Sequence, residues 1–221
     1  MTTLQDLDDA IDDLLDHTAG VQLVHHVAEK AYEAYIFGLC LRAVRELGQT
    51  PILMGIKGLP TPFIFRGGPG QIHSTRYNYG YAVFWLNHIG FEIHAGIEFR
   101  GTSGMTHEVD VCIVRHDDAE LCRQQPDDPP ARSLIAGWEC KFYGGILDKV
   151  LGRAFVGLMD DMGANVRLSG LCSNSSHSQL REYFQLQRRP YPHFELSPIN
   201  KSGEDIFVNA IKGELKKMTA I

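Results

Sequence analysis

The chain has 221 residues, of which 44% are hydrophobic and 22% are charged, as in a globular domain. Its 21 Lys and Arg stand against 27 Asp and Glu, which gives a formal net charge of −6. An acidic chain has no overall attraction for nucleic acid, so binding of that kind would require a local positive surface.

The length favours a single domain over residues 1–221, because a chain of this size can bury one sizeable core. No run of 18 or more apolar residues is present, and the N-terminus is acidic, so we expect neither a membrane-spanning helix nor a secretory signal. Five widely spaced cysteines without a CxxC pair predict reduced thiols in a cytoplasmic protein and no zinc site. Four of them lie in apolar runs: Cys40, Cys112, Cys140 and Cys172.

Helical patterns open the chain. Residues 1–20 have one apolar stripe with Asp on the other face, which predicts a short amphipathic helix. A longer helix is predicted from Val21 to Leu47, ending at Gly48. Residues 50–80 are rich in Gly and Pro and predict a loop or a short hairpin.

Strand character dominates the middle of the chain, and helices and one strand follow it. The polar stretch 116–132 predicts a loop, and residues 146–159 have the clearest helical period in the sequence. Around them we predict strands over Tyr79–Leu86, Phe91–Phe99, His107–Arg115, Ser133–Phe142 and Asn165–Cys172, and C-terminal helices near Ser178–Gln187 and Glu204–Met218.

Two of the predicted strands carry charged residues that bear on function. One contains Val109-Asp110-Val111, and the next contains Trp138-Glu139-Cys140-Lys141. Side chains alternate along a strand, so Glu139 and Lys141 point the same way and Cys140 points back. Charge beside an apolar core is costly unless it has a use, and a divalent cation held by the two carboxylates is such a use.

The pair Asp110 and Glu139-Cys140-Lys141 resembles the motif of the PD-(D/E)XK nuclease superfamily. The E-x-K half is intact, whereas Val109 stands where the family has its eponymous Pro. The resemblance covers about residues 29–173 and implies an α/β fold with a restriction-endonuclease-like core. That core has the order α-β-β-β-α-β, with a central mixed sheet flanked by helices. Residues 1–20, 50–80 and 174–221 would be additions to it, with extra N- and C-terminal helices.

The resemblance also implies a set of site residues. Asp110, Glu139 and the main-chain carbonyl of Cys140 would hold Mg²⁺ (or Mn²⁺), and Lys141 would lie beside the attacking water. In this family the first core helix often adds a carboxylate, for which Glu33 is our candidate and Glu29 the alternative. Glu33 shares a helical stripe with apolar residues, namely Phe37, Cys40 and Val44; the other interpretation is that Glu33 pairs with Lys30 or reaches solvent.

Other polar residues receive secondary roles. We assign Glu108 to the opposite face from Asp110 and interpret it as structural, and Glu98 as an outer ligand at most. The stretch 66–107 contains more basic residues than acidic ones and could form a local positive face. Its basic residues are Arg66, His73, Arg76, His88, His94, Arg100 and His107. Residues 67–70 do not form a P-loop, because no GK[ST] follows them.

The predicted function is therefore a Mg²⁺-dependent endonuclease that acts on nucleic acid, with DNA expected in preference to RNA. The resemblance implies a homo-oligomer, because cutting two strands takes two sites. Two alternatives remain open at this stage. One is a defence effector nuclease that a ligand or partner activates, and the other is a non-catalytic protein that uses the fold to bind a partner.

Overall fold

The computed structural model describes residues 2–16, 20–144, 147, 149–163, 165–185 and 191–219. The helices are α1 (Leu4–Leu14), α2 (Ala28–Glu46), α3 (His116–Gln124), α4 (Lys149–Met162), α5 (Ser178–Gln185) and α6 (Lys201–Thr219). The strands are β1 (Val21–Leu23), β2 (Ile52–Gly55), β3 (Phe63–Phe65), β4 (Gly80–Leu86), β5 (Ile89–Arg100), β6 (Thr106–Arg115), β7 (Leu134–Lys141), β8 (Leu168–Ser173) and β9 (Tyr191–Phe194).

A mixed sheet forms the centre of the fold. Its strand order is β2-β4-β5-β6-β7-β8-β9, and the separate pair β1-β3 is parallel. From β2 to β7 each neighbour is antiparallel, whereas β7, β8 and β9 are parallel to one another. With helices packed against it, the protein is an α/β fold with a central mixed sheet, which confirms the predicted class at this level.

The sheet separates two apolar clusters. On one side α2 packs against the sheet and is covered by α1 and α6, so it is buried around most of its circumference. Gly38 lets α1 approach α2 closely, since a Cβ there would lie 2.8 Å from the Leu14 side chain. The other cluster contains residues of α3, α4 and α5. Helix α2 is therefore held rigidly beneath the strands that carry the candidate site.

The predicted helix over Val21–Leu47 is wrong at its start. Residues 21–23 form β1, which pairs with Phe63–Phe65, and α2 begins only at Ala28. Gly20 adopts a positive φ of 60° and its carbonyl accepts a hydrogen bond from Phe63 N–H. This pairing with a distant strand overrides the local helical preference. The segment 50–80, predicted as a loop or a short hairpin, contains β2 and β3, which pair with β4 and β1 and not with each other.

Two further segments differ from the prediction. The polar stretch 116–132 is not all loop, because its first half forms α3, which buries Ala119 and Cys122. Strand β9 lies within the Pro-rich segment and is tolerated there because it is the last strand of the sheet. Residues 17–19, 146 and 186–187, which three predicted helices include, lie outside the described residues.

The expectations about cysteines and membranes can also be compared with the structure. All five cysteines are free and buried, Cys122 included. Among the described residues, no helix has both the length and the apolar character required to cross a membrane.

Candidate active site

The candidate site lies where β6 and β7 separate. Their register ends at the pair Val111–Trp138, so Asp110 and Glu139 come just beyond the last paired residues. There the main-chain N–H of Cys140 donates a hydrogen bond to Asp110 Oδ2 over 2.8 Å. At the site, a hydrogen bond to a side-chain carboxylate thus replaces the main-chain hydrogen bonds between β6 and β7.

Glu139 and Lys141 lie side by side on β7, which is the orientation that strand alternation predicts. Lys141 Nζ lies 2.6 Å from Glu139 Oε1 and 3.7 Å from Asp110 Oδ2. Strand β7 is fixed on its other side, because Glu139 and Lys141 stay in register with β8. The Lys141 side chain is 30% exposed, whereas that of Asp110 is 9% exposed, so the cluster reaches solvent through its lysine end.

Helix α2 brings Glu33 to the same cluster. Lys30 Nζ donates to both Glu33 oxygens, over 2.7 and 2.9 Å, so the ion pair considered from the sequence is present. Glu33 is nevertheless only 7% exposed and lies within the electrostatic influence of Asp110. Glu29, the alternative candidate, is exposed.

Glu108 belongs to this cluster, and its assignment to the opposite face was wrong. It stands two residues before Asp110 on the same strand, so the alternation of side chains should have placed the two together. The charges of Asp110, Lys30 and Glu139 all act on its carboxyl group. Its Oε1 atom is buried and has no hydrogen-bond partner within the part of the chain that the structure describes.

The cluster holds more negative than positive charge. Four carboxylates meet two ammonium groups, those of Lys30 and Lys141. Burial, with repulsion from Asp110, raises the pKa of Glu33 to about 8. The same two causes raise the pKa of Glu108 and that of Glu139.

The lysines respond in the opposite direction. Burial alone would lower the pKa of Lys141, but Asp110 and Glu139 outweigh it and raise that pKa above its usual range. The pKa of Lys30 is likewise raised, because Glu33 outweighs burial. Both side chains therefore act as fixed cations and not as bases at neutral pH.

The donor set suits a hard divalent cation. Carboxylate oxygens are the ligands that Mg²⁺ and Mn²⁺ prefer, and the buried, unpartnered oxygen of Glu108 adds one more donor. In the described ranges, however, no three His, Cys, Asp or Glu residues are arranged to hold a metal ion as they stand. Lys30 and Lys141 occupy carboxylate oxygens instead, so a cation would have to displace these ion pairs.

Three basic residues of the stretch 66–107 pair with carboxylates outside the cluster. His94 is buried and its Nε2 lies 2.6 Å from Glu92. His107 lies 2.6 Å from Asp161, which also binds Ser103 of the 101–104 turn. Arg100 pairs with Asp127. The predicted positive face is therefore much smaller than the sequence suggests.

A buried serine–histidine pair occurs at the end of β8, but its hydrogen bond runs in the wrong direction for nucleophilic catalysis. His177 Nδ1 accepts a hydrogen bond from Leu147 N–H over 3.2 Å. The neutral ring then carries its proton on Nε2, which lies 3.1 Å from Ser173 Oγ. The histidine is a donor to Ser173 and cannot remove its proton.

Comparison of this chain with family models, with curated proteins and with solved structures found no match.

Proposed function

We propose that this protein is a metal-dependent phosphodiesterase of the PD-(D/E)XK type that cleaves nucleic acid as an endonuclease. The observation that carries the proposal is the meeting of Asp110, Glu139 and Lys141 at the separation of β6 and β7, with Glu33 delivered from α2. These are the residue types that hold a divalent cation and orient a water next to a phosphate.

The order of elements supports the same proposal. In chain order the core reads α2, β5, β6, β7, α4 and β8, with the short α3 between β6 and β7. The three strands β5, β6 and β7 are consecutive antiparallel neighbours, and β8 joins β7 in parallel. Strands β2, β3 and β4 also lie between α2 and β5, and without them the order is compatible with the α-β-β-β-α-β order of a restriction-endonuclease-like core, with Asp110 on its second strand and Glu139 on its third.

In this mechanism Asp110, Glu139, Glu33 and the main-chain carbonyl of Cys140 would hold Mg²⁺. The bound ion would supply Lewis-acid stabilisation of charge on the scissile phosphate. Glu108, unassigned from the sequence, would complete the oxygen donors. The hydrogen bond from Cys140 N–H keeps the Asp110 carboxylate in position before substrate arrives.

Lys141 has a separate task. Its raised pKa keeps it protonated, so it orients the attacking water as a hydrogen-bond donor and is not the base that accepts the proton of the water. Glu139 Oε1 holds the ammonium group over 2.6 Å until a bound cation displaces that ion pair. DNA as the preferred substrate and a homo-oligomeric enzyme are further parts of the proposal, and both derive from the resemblance alone.

A cleavage assay on supercoiled plasmid and labelled single strands tests the proposal. Wild-type protein should cut with Mg²⁺ or Mn²⁺ and not with EDTA, and Lys141→Ala should abolish cutting. Lys217→Ala is the matched control, because the Lys217 side chain is 72% exposed on α6. Equal cutting by wild type and Lys141→Ala would remove the assignment.

One observation favours a second candidate, the nuclease activated by a ligand or partner. Lys30 binds both oxygens of Glu33, and the carboxylates of the described chain are not arranged around a common point. A conformational step that releases Glu33 would then precede cleavage. Protein that binds an oligonucleotide in EDTA, yet fails to cut it with either metal, would favour this candidate.

A further inference from the structure

A second concave site lies beside the Gly-rich loop 66–70. This cavity, which we call the Arg66 pocket, has a volume of about 370 Å³ and is lined by His25, Arg66, Arg76, Tyr77, Tyr79 and the backbone of residues 67–70. Its volume falls within the range of small-molecule sites. The lining contains two arginines and no Asp or Glu among the residues that the structure describes.

Arg66 is a buried cation without a paired anion. It is 8% exposed and forms no ion pair among the described residues, and the charge of Glu98 acts on its guanidinium group at longer range. Its Nη2 donates to the carbonyl of Gln71 over 3.0 Å, and the group lies 4.0 Å from the ring centroid of Tyr79. Burial lowers the pKa of Arg66 to about 10. A buried charge in this position is stabilised by an anionic ligand.

The outer part of the pocket offers a second cation and an aromatic face. Arg76 is exposed, and its guanidinium carbon lies 5.6 Å from the ring centroid of Tyr77. The Tyr77 side chain is 42% exposed, so its ring can receive a planar group. In proteins that bind single-stranded nucleic acid, an arginine contacts a phosphate of the strand and a neighbouring exposed tyrosine stacks on a base.

The loop geometry makes the pocket rigid. A Cβ at Gly67 would lie 2.5 Å from the His25 ring, and one at Gly70 would lie 2.7 Å from Arg66 Nη1. The loop is attached to β5, because Gly70 N–H donates to Gly96 O and Glu98 N–H donates to Gly70 O, each over 3.1 Å. The Arg66 guanidinium is therefore held in position before any ligand arrives.

The Arg66 pocket adjoins the carboxylate cluster. Gly96 on β5 separates them, and a Cβ there would lie 3.4 Å from Gly68 O, 3.5 Å from Arg66 Cβ and 3.7 Å from Glu108 Oε1. A strand with one phosphate at the carboxylates could thus place a neighbouring phosphate near Arg66. Positive charge in the pocket also compensates for the acidity of the chain as a whole.

We propose that the Arg66 pocket binds a phosphate of the nucleic-acid strand that is cut at the carboxylate cluster, and that Tyr77 stacks on the adjoining base. This inference rests on the proposed function and deepens it. Because a stacked base must leave its own helix, the substrate is a single-stranded or unpaired segment.

Fluorescence anisotropy with a labelled oligonucleotide tests the pocket separately from catalysis. The probe is a single strand of about 12 nucleotides, with the matching duplex beside it, and EDTA is present throughout. Wild-type protein should bind the single strand at least about fivefold more tightly than the duplex. Arg76→Gln and Tyr77→Ala should each weaken single-strand binding about tenfold.

Controls define what each result means. Arg115→Gln removes an exposed arginine at the far end of β6 and should leave binding unchanged. Arg76→Gln should also make the salt dependence shallower by about 0.7 in the log–log slope, which corresponds to one lost phosphate contact. Arg66→Lys should weaken binding while keeping the charge, and thermal unfolding shows whether that variant is folded.

The outcomes separate the pocket from the nuclease. Normal binding by both Arg76→Gln and Tyr77→Ala would overturn the pocket assignment while leaving metal-dependent cleavage intact. Loss of binding in these variants, in a protein whose wild type binds but does not cut, would support the pocket and reject a nuclease that is active without a further ligand or partner. If adenosine monophosphate binds as tightly as the oligonucleotide, the ligand of the pocket is a free nucleotide, and the proposal that it binds a nucleic-acid strand is overturned.

Discussion

Cys140 N–H donates a hydrogen bond to the Asp110 carboxylate over 2.8 Å at the point where the pairing of β6 and β7 stops. The two halves of the motif, on β6 and β7, are therefore joined directly by a hydrogen bond as well as by their places in the same sheet. A carboxylate in this position has one oxygen engaged by the backbone while its charge faces Lys141. Structure and chemistry at Asp110 can be separated by substitution.

We predict that Asp110→Asn abolishes cleavage and keeps the fold. The amide oxygen of Asn can still accept from Cys140 N–H, but the charge that would hold a cation is lost, so the rate should fall by about 10²-fold or more. Asp110→Ala should in addition cost about 1–3 kcal/mol of unfolding free energy, because the buried N–H is left unpaired. Urea unfolding and plasmid cleavage measure the two effects.

The control for this pair is Asp12→Asn, which changes an exposed carboxylate on α1. It should alter neither unfolding nor cleavage. An Asp110→Asn protein that cuts at the wild-type rate would show that this carboxylate has no part in the chemistry.

Divalent metal should stabilise the protein by relieving repulsion within the carboxylate cluster. At about 100 times the dissociation constant, ligand binding contributes about 2.7 kcal/mol, which corresponds to about 5–10 °C in the thermal midpoint of a chain of this size. Thermal unfolding with MgCl₂ or MnCl₂, against NaCl of equal ionic strength, checks this. The double variant Asp110→Asn, Glu139→Gln should lose the rise, and an equal rise in that variant would locate the metal elsewhere.

Four cluster residues could be predicted because strand alternation and a helical stripe are local properties of the sequence. They are Asp110, Glu139, Lys141 and Glu33. The structure brings all four together. Glu108 was misassigned although the same alternation places it beside Asp110. The ion pair that binds Glu33 on both oxygens was considered, yet the burial of the pair depends on how α2 is packed, which no local pattern encodes.

The elements that the sequence did not predict depend on distant partners. Strand β1 has three residues and exists through its pairing with β3, some 40 positions later in the chain. Helix α3 lacks an apolar stripe because only Ala119 and Cys122 are buried in its nine residues. In β9 a proline masks the strand signal, and the sheet accepts it only because β9 is at an edge.

A second charge cluster should affect stability and not catalysis. Glu92 is fully buried and binds Arg123 Nη1 over 2.8 Å, with His94 and His116 at 2.6 Å each. Glu92→Ala should cost about 3 kcal/mol of unfolding free energy, because it removes the buried partner of Arg123 and leaves that cation only the partly exposed Glu120. Urea unfolding measures the loss, and the rate of cleavage per folded molecule should stay at the wild-type value.

The pH dependence of this cluster has a definite sign. Burial acts to raise the pKa of Glu92, but Arg123 and His94 outweigh it and lower that pKa to about 2. A lowered carboxylate pKa stabilises the fold above the unfolded value of about 4.5, and the stabilisation is lost as the pH falls towards 2. The stabilising effect of Glu92 should therefore be constant between pH 6 and 8 and decline only below pH 4.5.

His193 should make the protein sensitive to mild acid. It lies on β9 against the Phe207 ring, 4.9 Å between centroids, and its buried Nε2 has no hydrogen-bond partner among the described residues. Burial lowers the pKa of His193 to about 3 from its usual 6.5. The unfolded chain then binds a proton that the folded chain excludes, so between pH 6 and 4.5 His193 should lower stability by up to about 1.4 kcal/mol per pH unit. Glu33 acts in the opposite direction in this range, because its raised pKa of about 8 lets the folded chain bind a proton that the unfolded chain releases.

His193→Leu removes that contribution and should flatten the pH dependence of urea unfolding by about this amount. The slope that remains combines His94 and His177, whose pKa values burial also lowers, with the carboxyl groups of the cluster, whose raised pKa values act in the opposite direction. His88→Asn is the matched control, since His88 is exposed and Asn tolerates its φ of 69°. A wild-type slope in His193→Leu would mean that His193 is protonated in the folded protein, and its ring would then have to reach water by opening the contact between β9 and α6.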